Sequence, residues 1–264
     1  MLMNMKNLVL RVKASVVRRI GRYLPGGDCI CSACGQNVHF FLPFFIDSQT
    51  APSVATILDV VGSNLHNYAC PKCESNDRER HLILFCRRTM VEQFIPKSRI
   101  LHFAPERRFS EYIASLTPAS HVKADLYPSA LDVKKVDMLS MEFPDHSFDL
   151  VIANHVLEHV VEDTKALSEI RRVLRPGGLA ILQTPFSAML STTFEDSGIQ
   201  SRSAREFVYG QDDHVRLFGA DIFSRFSQAG FIARVTSHDS ALAEFNADVY
   251  GVNRREPFFL FERT

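Results

Sequence analysis

Tryptophan is absent, glycine is scarce at 12 of 264 residues, and neither sign of charge is in excess, with 30 Lys+Arg against 30 Asp+Glu. The balance excludes a globally basic coat of the kind that neutralises nucleic-acid phosphates. No apolar run approaches the roughly 18 to 20 residues that a membrane span needs. Internal repeats and low-complexity linkers are missing as well. What is present argues against disorder, since 46% of residues are apolar and 21 of them are Phe, enough to offset the entropy of ordering the chain. The length fits one large domain or two modest ones.

Acidic residues are missing from positions 1–27, which carry Lys6, Arg11, Lys13, Arg18, Arg19 and Arg22; the remainder of the chain is therefore net −6. Leu8, Val9, Val12, Val16, Val17 and Ile20 fall between these charges at near-helical spacing. Residues 1–28 thus read as a basic amphipathic leader, offering a peripheral membrane or protein contact through residues 1–24, or as a solvated terminus. Charges interrupt every apolar core that a signal peptide would need, so a cytoplasmic chain is expected.

Five of the six cysteines, Cys29, Cys31, Cys34, Cys70 and Cys73, cluster within 45 residues. Cys31-Ser-Ala-Cys34 and Cys70-Pro-Lys-Cys73 each have the two-residue spacer that lets two thiolates face one ion, and two such pairs make a closed, tetrahedral, four-cysteine zinc site. Such a site has no open position and stabilises the fold; it does not catalyse. Cys29 could replace Cys31, His39 and His66 are weaker substitutes, and disulfides or free thiols are the rival readings. The apolar segment His39–Ile46 lies between the pairs as a strand or ledge. Residues 29–96 are expected to form this module with a connecting helix that starts at Ser75–Glu79. That helix carries Leu82, Phe85, Cys86, Thr89 and Gln93/Phe94 on one stripe and stops at Pro96.

From residue 97 short apolar strands alternate with helices. Strands are predicted at 99–103, 121–125, 133–137, 148–154, 179–184, 231–236 and 258–261, with helices at 106–116, 163–174 and 220–229. Alternation of this kind makes an α/β fold with a doubly wound, mostly parallel seven-stranded sheet, binding ligands at the carboxyl ends of its strands.

Acids close the second and third of these strands. They are followed by Phe143-Pro144-Asp145-His146-Ser147-Phe148-Asp149-Leu150-Val151, His155-Val156-Leu157-Glu158-His159 and Val173-Leu174-Arg175-Pro176-Gly177-Gly178. In this ordered set, residues 97–264 resemble class I S-adenosylmethionine-dependent methyltransferases. The two cysteine knuckles, Leu101-His102-Phe103-Ala104-Pro105-Glu106, Thr193–Asp196 and Asp212–Arg216 resemble a bacterial subgroup with an N-terminal zinc module, whose members often modify saccharides or specialised metabolites. The chain departs from the family in its first loop, normally acid-x-Gly-x-Gly and here His102-Phe103-Ala104-Pro105-Glu106.

The resemblance implies S-adenosylmethionine as cofactor. Ala104 and Glu106 would lie against its methionine part, Asp125 on the ribose hydroxyls, Asp137 and Met138 at adenine, and Asn154 near the methionine part. Residues 185–218, long and polar for a connection, are the expected acceptor lid. Within it His214 is the candidate base, Arg216 a clamp for an acidic acceptor group, and Glu195 and Asp196 further candidates; the alternative is that Asp212, His214 and Arg216 only pin the lid by ion pairs. The expected reaction is O-methylation of a small-molecule or saccharide-like acceptor. An RNA methyltransferase using the zinc module and Arg78, Arg80, Arg87 and Arg88 as a clamp is one alternative, and a non-catalytic zinc-stapled interaction protein another. His155-x-x-Glu158-His159 also matches a zinc-protease signature, but it opens directly off a buried strand.

Overall fold

The computed structural model describes residues 15–44 and 53–264. Lys6 to Lys13 of the basic leader and Phe45-Ile46 of the apolar ledge lie outside them. Residues 15–23 (α1) are helical, with Val16, Val17 and Ile20 exposed. A two-residue pair, β1 (Cys29–Ile30) and β2 (Asn37–Val38), carries the first cysteine turn, and a short helix, α2 (Val54–Ile57), precedes the second.

Helix α3 (Asp77–Arg88) begins on a capping box. Asn76 Oδ1 accepts from Glu79 N at 2.8 Å, and Glu79 Oε2 accepts from Asn76 N at 2.9 Å. It does not run on to Pro96. Thr89, β-branched and extended at φ −112°, ψ 178°, closes it, and α4 (Val91–Phe94) follows as a separate turn.

The sheet is built from β3 (Arg99–Phe103), β4 (Ser120–Asp125), β5 (Val133–Lys135), β6 (Phe148–Ala153), β7 (Leu174–Ile181), β8 (Phe231–Ala233) and β9 (Leu260–Arg263). Its order is β5-β4-β3-β6-β7-β9-β8; β3 to β7 are parallel, and β9 runs antiparallel to both neighbours. Helices α5 (Arg107–Ser115), α6 (Asp163–Val173), α7 (Arg202–Tyr209), α8 (Ile222–Gln228), α9 (His238–Ala241) and α10 (Ala247–Tyr250) complete the chain.

Strand alternation divides the apolar residues between two faces. Leu101, Phe103, Val151, Ala153, Ala180 and Leu182 join one cluster with residues of α6 and α8. Ile100, Leu150, Ile152, Leu179, Ile181 and Leu260 join the other, with Leu82–Cys86 of α3 and Phe109 and Ile113 of α5. Both faces are covered, as near-continuous apolar strands require. Helix α3, which the sequence groups with the cysteine module, is therefore part of the sheet's own core.

The Arg175-Pro176-Gly177-Gly178 turn is absorbed into β7 as a bulge, since Phe148 pairs with Leu174 but Leu150 with Leu179. Gly177 has φ +68°, and a Cβ on Gly178 would sit 2.8 Å from Arg175 O. Asp149 braces this bulge against β3, accepting from Arg99 N at 2.7 Å, Arg99 Nε at 3.0 Å and Arg175 Nε at 2.6 Å. Partial burial pushes its carboxyl up, but these donors outweigh that and hold it at about 2. An unfolded Asp titrates near 3.9. The bracing is therefore fully present above pH ~4 and is lost as pH falls from about 4 to 2. Urea unfolding between pH 6 and 2 should show a loss of stability in that window. Asp149→Asn should remove that step and be less stable than wild type at pH 6.

Candidate functional site

From β3 the chain winds outward through β4 and β5, then returns to β6 on the other side of β3. This reversal opens a crevice at the carboxyl ends of β3 and β6, the place where open α/β sheets bind ligands. Both loops there turn through left-handed backbone on residues other than glycine: Ala104 at φ +44° and His155 at φ +51°. Each costs about 1–2 kcal/mol. The Ala104 and His155 amides are pinned to Ala124 O at 2.9 Å and Gln183 O at 2.8 Å. Glycine is thus missing from the first loop at a position where the backbone conformation favours it.

Glu106 leads α5, and its Oε2 lies 3.1 Å from His102 Nε2 and 3.4 Å from Asn154 Nδ2. Burial raises its carboxyl, but His102 and the charge of Arg78 outweigh burial and hold it below the usual range. Asn154 is 3% exposed, and its Oδ1 is buried without a hydrogen-bond partner among the described residues. The sequence pattern offers Arg78 only to the RNA clamp, but the fold brings it to this crevice. It projects from α3 within the charge field of Glu106, Asp77 and Glu256, and its Nε is buried and unpartnered.

Farther along the strand ends, Asp125 is half-buried and accepts from Tyr127 N at 2.8 Å, beside the exposed side chains of Leu126 and Tyr127. Asp137 is exposed and accepts from Leu139 N at 2.9 Å. The Met138 side chain is buried in the sheet core, so only its backbone can serve a ligand.

On the other side of β6 lie the acceptor-side candidates Arg216, Glu195 and His214. Arg216 is 3% exposed, and four of its five N–H groups are engaged: Nε donates to Glu195 Oε2 at 2.8 Å, NH1 to Leu157 O at 3.1 Å and to Val160 O, and NH2 to Val161 O at 2.8 Å. It pins the 195 and 214–217 segments onto the turn after β6, and its remaining NH2 donor lies 3.7 Å from Asp163 Oδ1, so no bidentate fork is left to clamp an acceptor. Glu195 is an exposed partner of Arg216, with Arg225 3.7 Å away. His214 lies 5% exposed, not open on a lid, and burial depresses its imidazole. Its Nδ1 faces Tyr209 O at 3.1 Å, and its Nε2 faces Glu158 Oε1 at 4.0 Å.

The His155–His159 string is no zincin helix. His155 stands in the left-handed loop and Leu157–His159 form a single 3-10 turn. The two imidazoles serve different partners, His155 Nε2 at 3.3 Å from Glu256 and His159 Nδ1 at 3.3 Å from Asp213. Glu256 also lies 3.7 Å from His81 of α3. Burial raises the Glu256 carboxyl, but His155 and His81 outweigh this and hold it at about 2. No local signal could have found this contact, because positions 81, 155 and 256 meet only through the fold. Of the four arginines considered for an RNA clamp, Arg80 is fully buried and Arg78 half-buried, leaving Arg87 and Arg88 exposed.

The sulfurs of Cys31, Cys34, Cys70 and Cys73 lie within 4.8 Å of one another, and Cys29 stands outside the group. The two turns match: Gly35 N donates to Cys31 O at 2.8 Å and Glu74 N to Cys70 O at 2.9 Å, with Gly35 and Glu74 both left-handed. Cys31 and Cys73 Sγ are 3.6 Å apart. A tetrahedron with Zn–S near 2.3 Å has edges of about 3.8 Å. Donor set and dimensions fit zinc, and four thiols this close cannot all ionise without a cation.

Residues 106–182 match the family described as "Methyltransferase domain". The chain is 30% identical over 131 residues to a protein of Mycolicibacterium smegmatis named "Probable S-adenosylmethionine-dependent methyltransferase", covering 48% of this chain and 46% of that one. It is 30% identical over 153 residues to the demethylmenaquinone methyltransferase of Mycobacterium sp. (strain KMS), covering 53% and 66%. The chain thus spans less than half of the first relative's length. A solved S-adenosylmethionine-dependent methyltransferase from Mesorhizobium loti superposes with a TM-score of 0.45 at 14% identity, over 64% of this chain and 93% of that one.

Proposed function

We propose that the class I S-adenosylmethionine-dependent methyltransferase domain carried by this chain binds its cofactor in the crevice over β3 to β6 and methylates an oxygen of a small-molecule or saccharide-like acceptor. The observation that carries the cofactor reading is the pair of orphaned buried atoms, Asn154 Oδ1 and Arg78 Nε, beside Glu106. S-adenosylmethionine, when bound, supplies a methyl group on a sulfonium centre. Arg78 is suited to its carboxylate, while Glu106 and Asn154 Oδ1 accept from its ammonium group. The Ala104 turn provides close backbone approach. Asp125 accepts from the ribose hydroxyls, with Leu126 and Tyr127 as apolar surface for the base. Asp137 and the Met138 amide are available to the edge of adenine.

On the acceptor side, Glu158, His159 and His214 form the group to which a hydroxyl is brought and by which its proton is weakened or taken. Arg216 positions the turn that carries them. The four cysteines hold a structural zinc. No helix among the described residues is long and apolar enough to cross a membrane. A peripheral contact through residues 1–24 belongs to this reading as the role of the basic leader.

Calorimetry with S-adenosylhomocysteine should show binding to the metal-replete protein, weakened in Asp125→Ala by about 1.5 to 3 kcal/mol as charge-assisted hydrogen bonds are lost. Absence of binding would remove the cofactor reading. In a methyl-transfer screen over sugars, metabolites and RNA, His214→Ala should lower kcat on a hydroxyl acceptor by about 10²-fold or more without changing S-adenosylhomocysteine affinity. Full turnover would remove the acceptor-site assignment, and methylation of RNA alone would change the substrate class. Protein purified without added metal should contain about one zinc. Cys73→Ser should lose both zinc and folding stability, whereas Cys29→Ser should keep both.

A further inference from the structure

Glu158, His159 and His214 each offer one donor atom, and these atoms lie within 4.8 Å of one another. Two of the three residues are buried and unsatisfied. The Glu158 side chain is 1% exposed with neither oxygen hydrogen-bonded, and that of His214 is 6% exposed with Nε2 unpartnered. A buried carboxylate left without donors is costly, so something must compensate for it. The nearest imidazole, His155, has Nδ1 3.4 Å from Glu158 Oε1, an ion pair that offsets part of this cost, but its Nε2 is turned to Glu256, so the one ring is shared between two buried carboxylates.

Both ligand-type histidines are held from behind. His214 Nδ1 faces the Tyr209 carbonyl at 3.1 Å, which makes it the protonated nitrogen and leaves the Nε2 lone pair free. His159 Nδ1 faces Asp213 Oδ2 at 3.3 Å, with the same consequence. Histidines that bind metals are oriented by such outer contacts to a carbonyl or a carboxylate. The supporting backbone is fixed as well: Val215 N donates to Glu158 O at 2.9 Å, Arg216 ties down the carbonyls of 157, 160 and 161, and the two imidazoles meet edge-on at 4.7 Å.

We propose that Glu158, His159 and His214 form a second metal site, independent of the cysteines, which binds one divalent cation next to the crevice. Two imidazoles and one carboxylate favour a first-row transition ion over Mg²⁺ or Ca²⁺, whose ligands are oxygens. Three protein donors leave coordination positions open, in contrast to the closed set of four thiolates. The site rests on these residues alone and does not require methyl transfer, but a cation on it would occupy the His214 Nε2 lone pair and so displace the proton-taking role proposed above.

Mn²⁺ is the probe, because a hard ion with a paramagnetic signal does not compete for thiolates. Titration of the full-length, zinc-loaded protein, followed by electron paramagnetic resonance of free Mn²⁺, should show one bound equivalent. Glu158→Gln and His214→Ala should each weaken binding at least tenfold. Asp213→Ala changes an exposed side chain and so spares the fold; it should weaken binding about tenfold by freeing the His159 ring. Circular dichroism and S-adenosylhomocysteine calorimetry on the same samples report folding and the cofactor crevice separately. Failure of the wild type to bind Mn²⁺ at millimolar concentration, or equal binding by folded Glu158→Gln, His214→Ala and Asp213→Ala, overturns the proposal.

Discussion

The guanidinium of Arg80 is the point on which the rest of the molecule hangs. It is wholly buried in α3 and has no carboxylate partner among the described residues; its donors reach the carbonyls of Asn67, Tyr68, Ser75, Tyr250 and Gly251. The Phe41 ring lies 4.0 Å below it. One side chain therefore ties together the loop before the second cysteine turn, that turn itself and the last helix before β9. Burial lowers its basicity, and the thiol groups of Cys31, Cys70 and Cys73, with Asp77, work in the opposite direction. A buried cation satisfied only by neutral carbonyls needs negative charge nearby. The zinc proposed for the four cysteines would supply it, since a tetrathiolate around a divalent ion is net −2.

The same helix serves the crevice. Arg78, two residues before Arg80, faces Glu106, and Glu79 accepts from Arg108 N at 2.7 Å at the start of α5. Arg107 and Arg108 return the contact, both donating to Cys73 O at 2.9 Å. The loop after β3 is thus held between β3 and the second cysteine turn, which accounts for a loop that keeps its left-handed backbone with alanine and proline in place of glycine.

Much of this was legible in the residues. The mostly parallel sheet and the acid that ends β4, Asp125, follow from apolar alternation, whereas Asp137 falls two residues beyond the end of β5. The two Cys-x-x-Cys turns could be read from spacing alone, and the four sulfurs converge with Cys29 left out. The long-range contacts were not legible. Arg216 looked like an acceptor clamp because nothing local shows that residues 157–161 present three carbonyls to it. Glu158 and His159 looked like part of a protease string because the string says nothing of His214, which the fold packs against them. Helix α3 was expected to continue because the apolar stripe persists beyond Thr89, while the break is made by backbone conformation.

Sharing of α3 also bears on how such a chain can be recombined. A cut between residues 96 and 97, where the sequence pattern changes, would separate Leu82, Ile83, Phe85 and Cys86 from Ile100, Phe109, Leu150 and Phe258, which bury one face of the sheet with them. A transplanted catalytic half would carry an uncovered apolar face, and a transplanted cysteine half would carry an uncovered helix. The cysteine segment is therefore no detachable cassette, and the unit that shuffling or circular permutation must preserve runs from the first cysteine turn through β9.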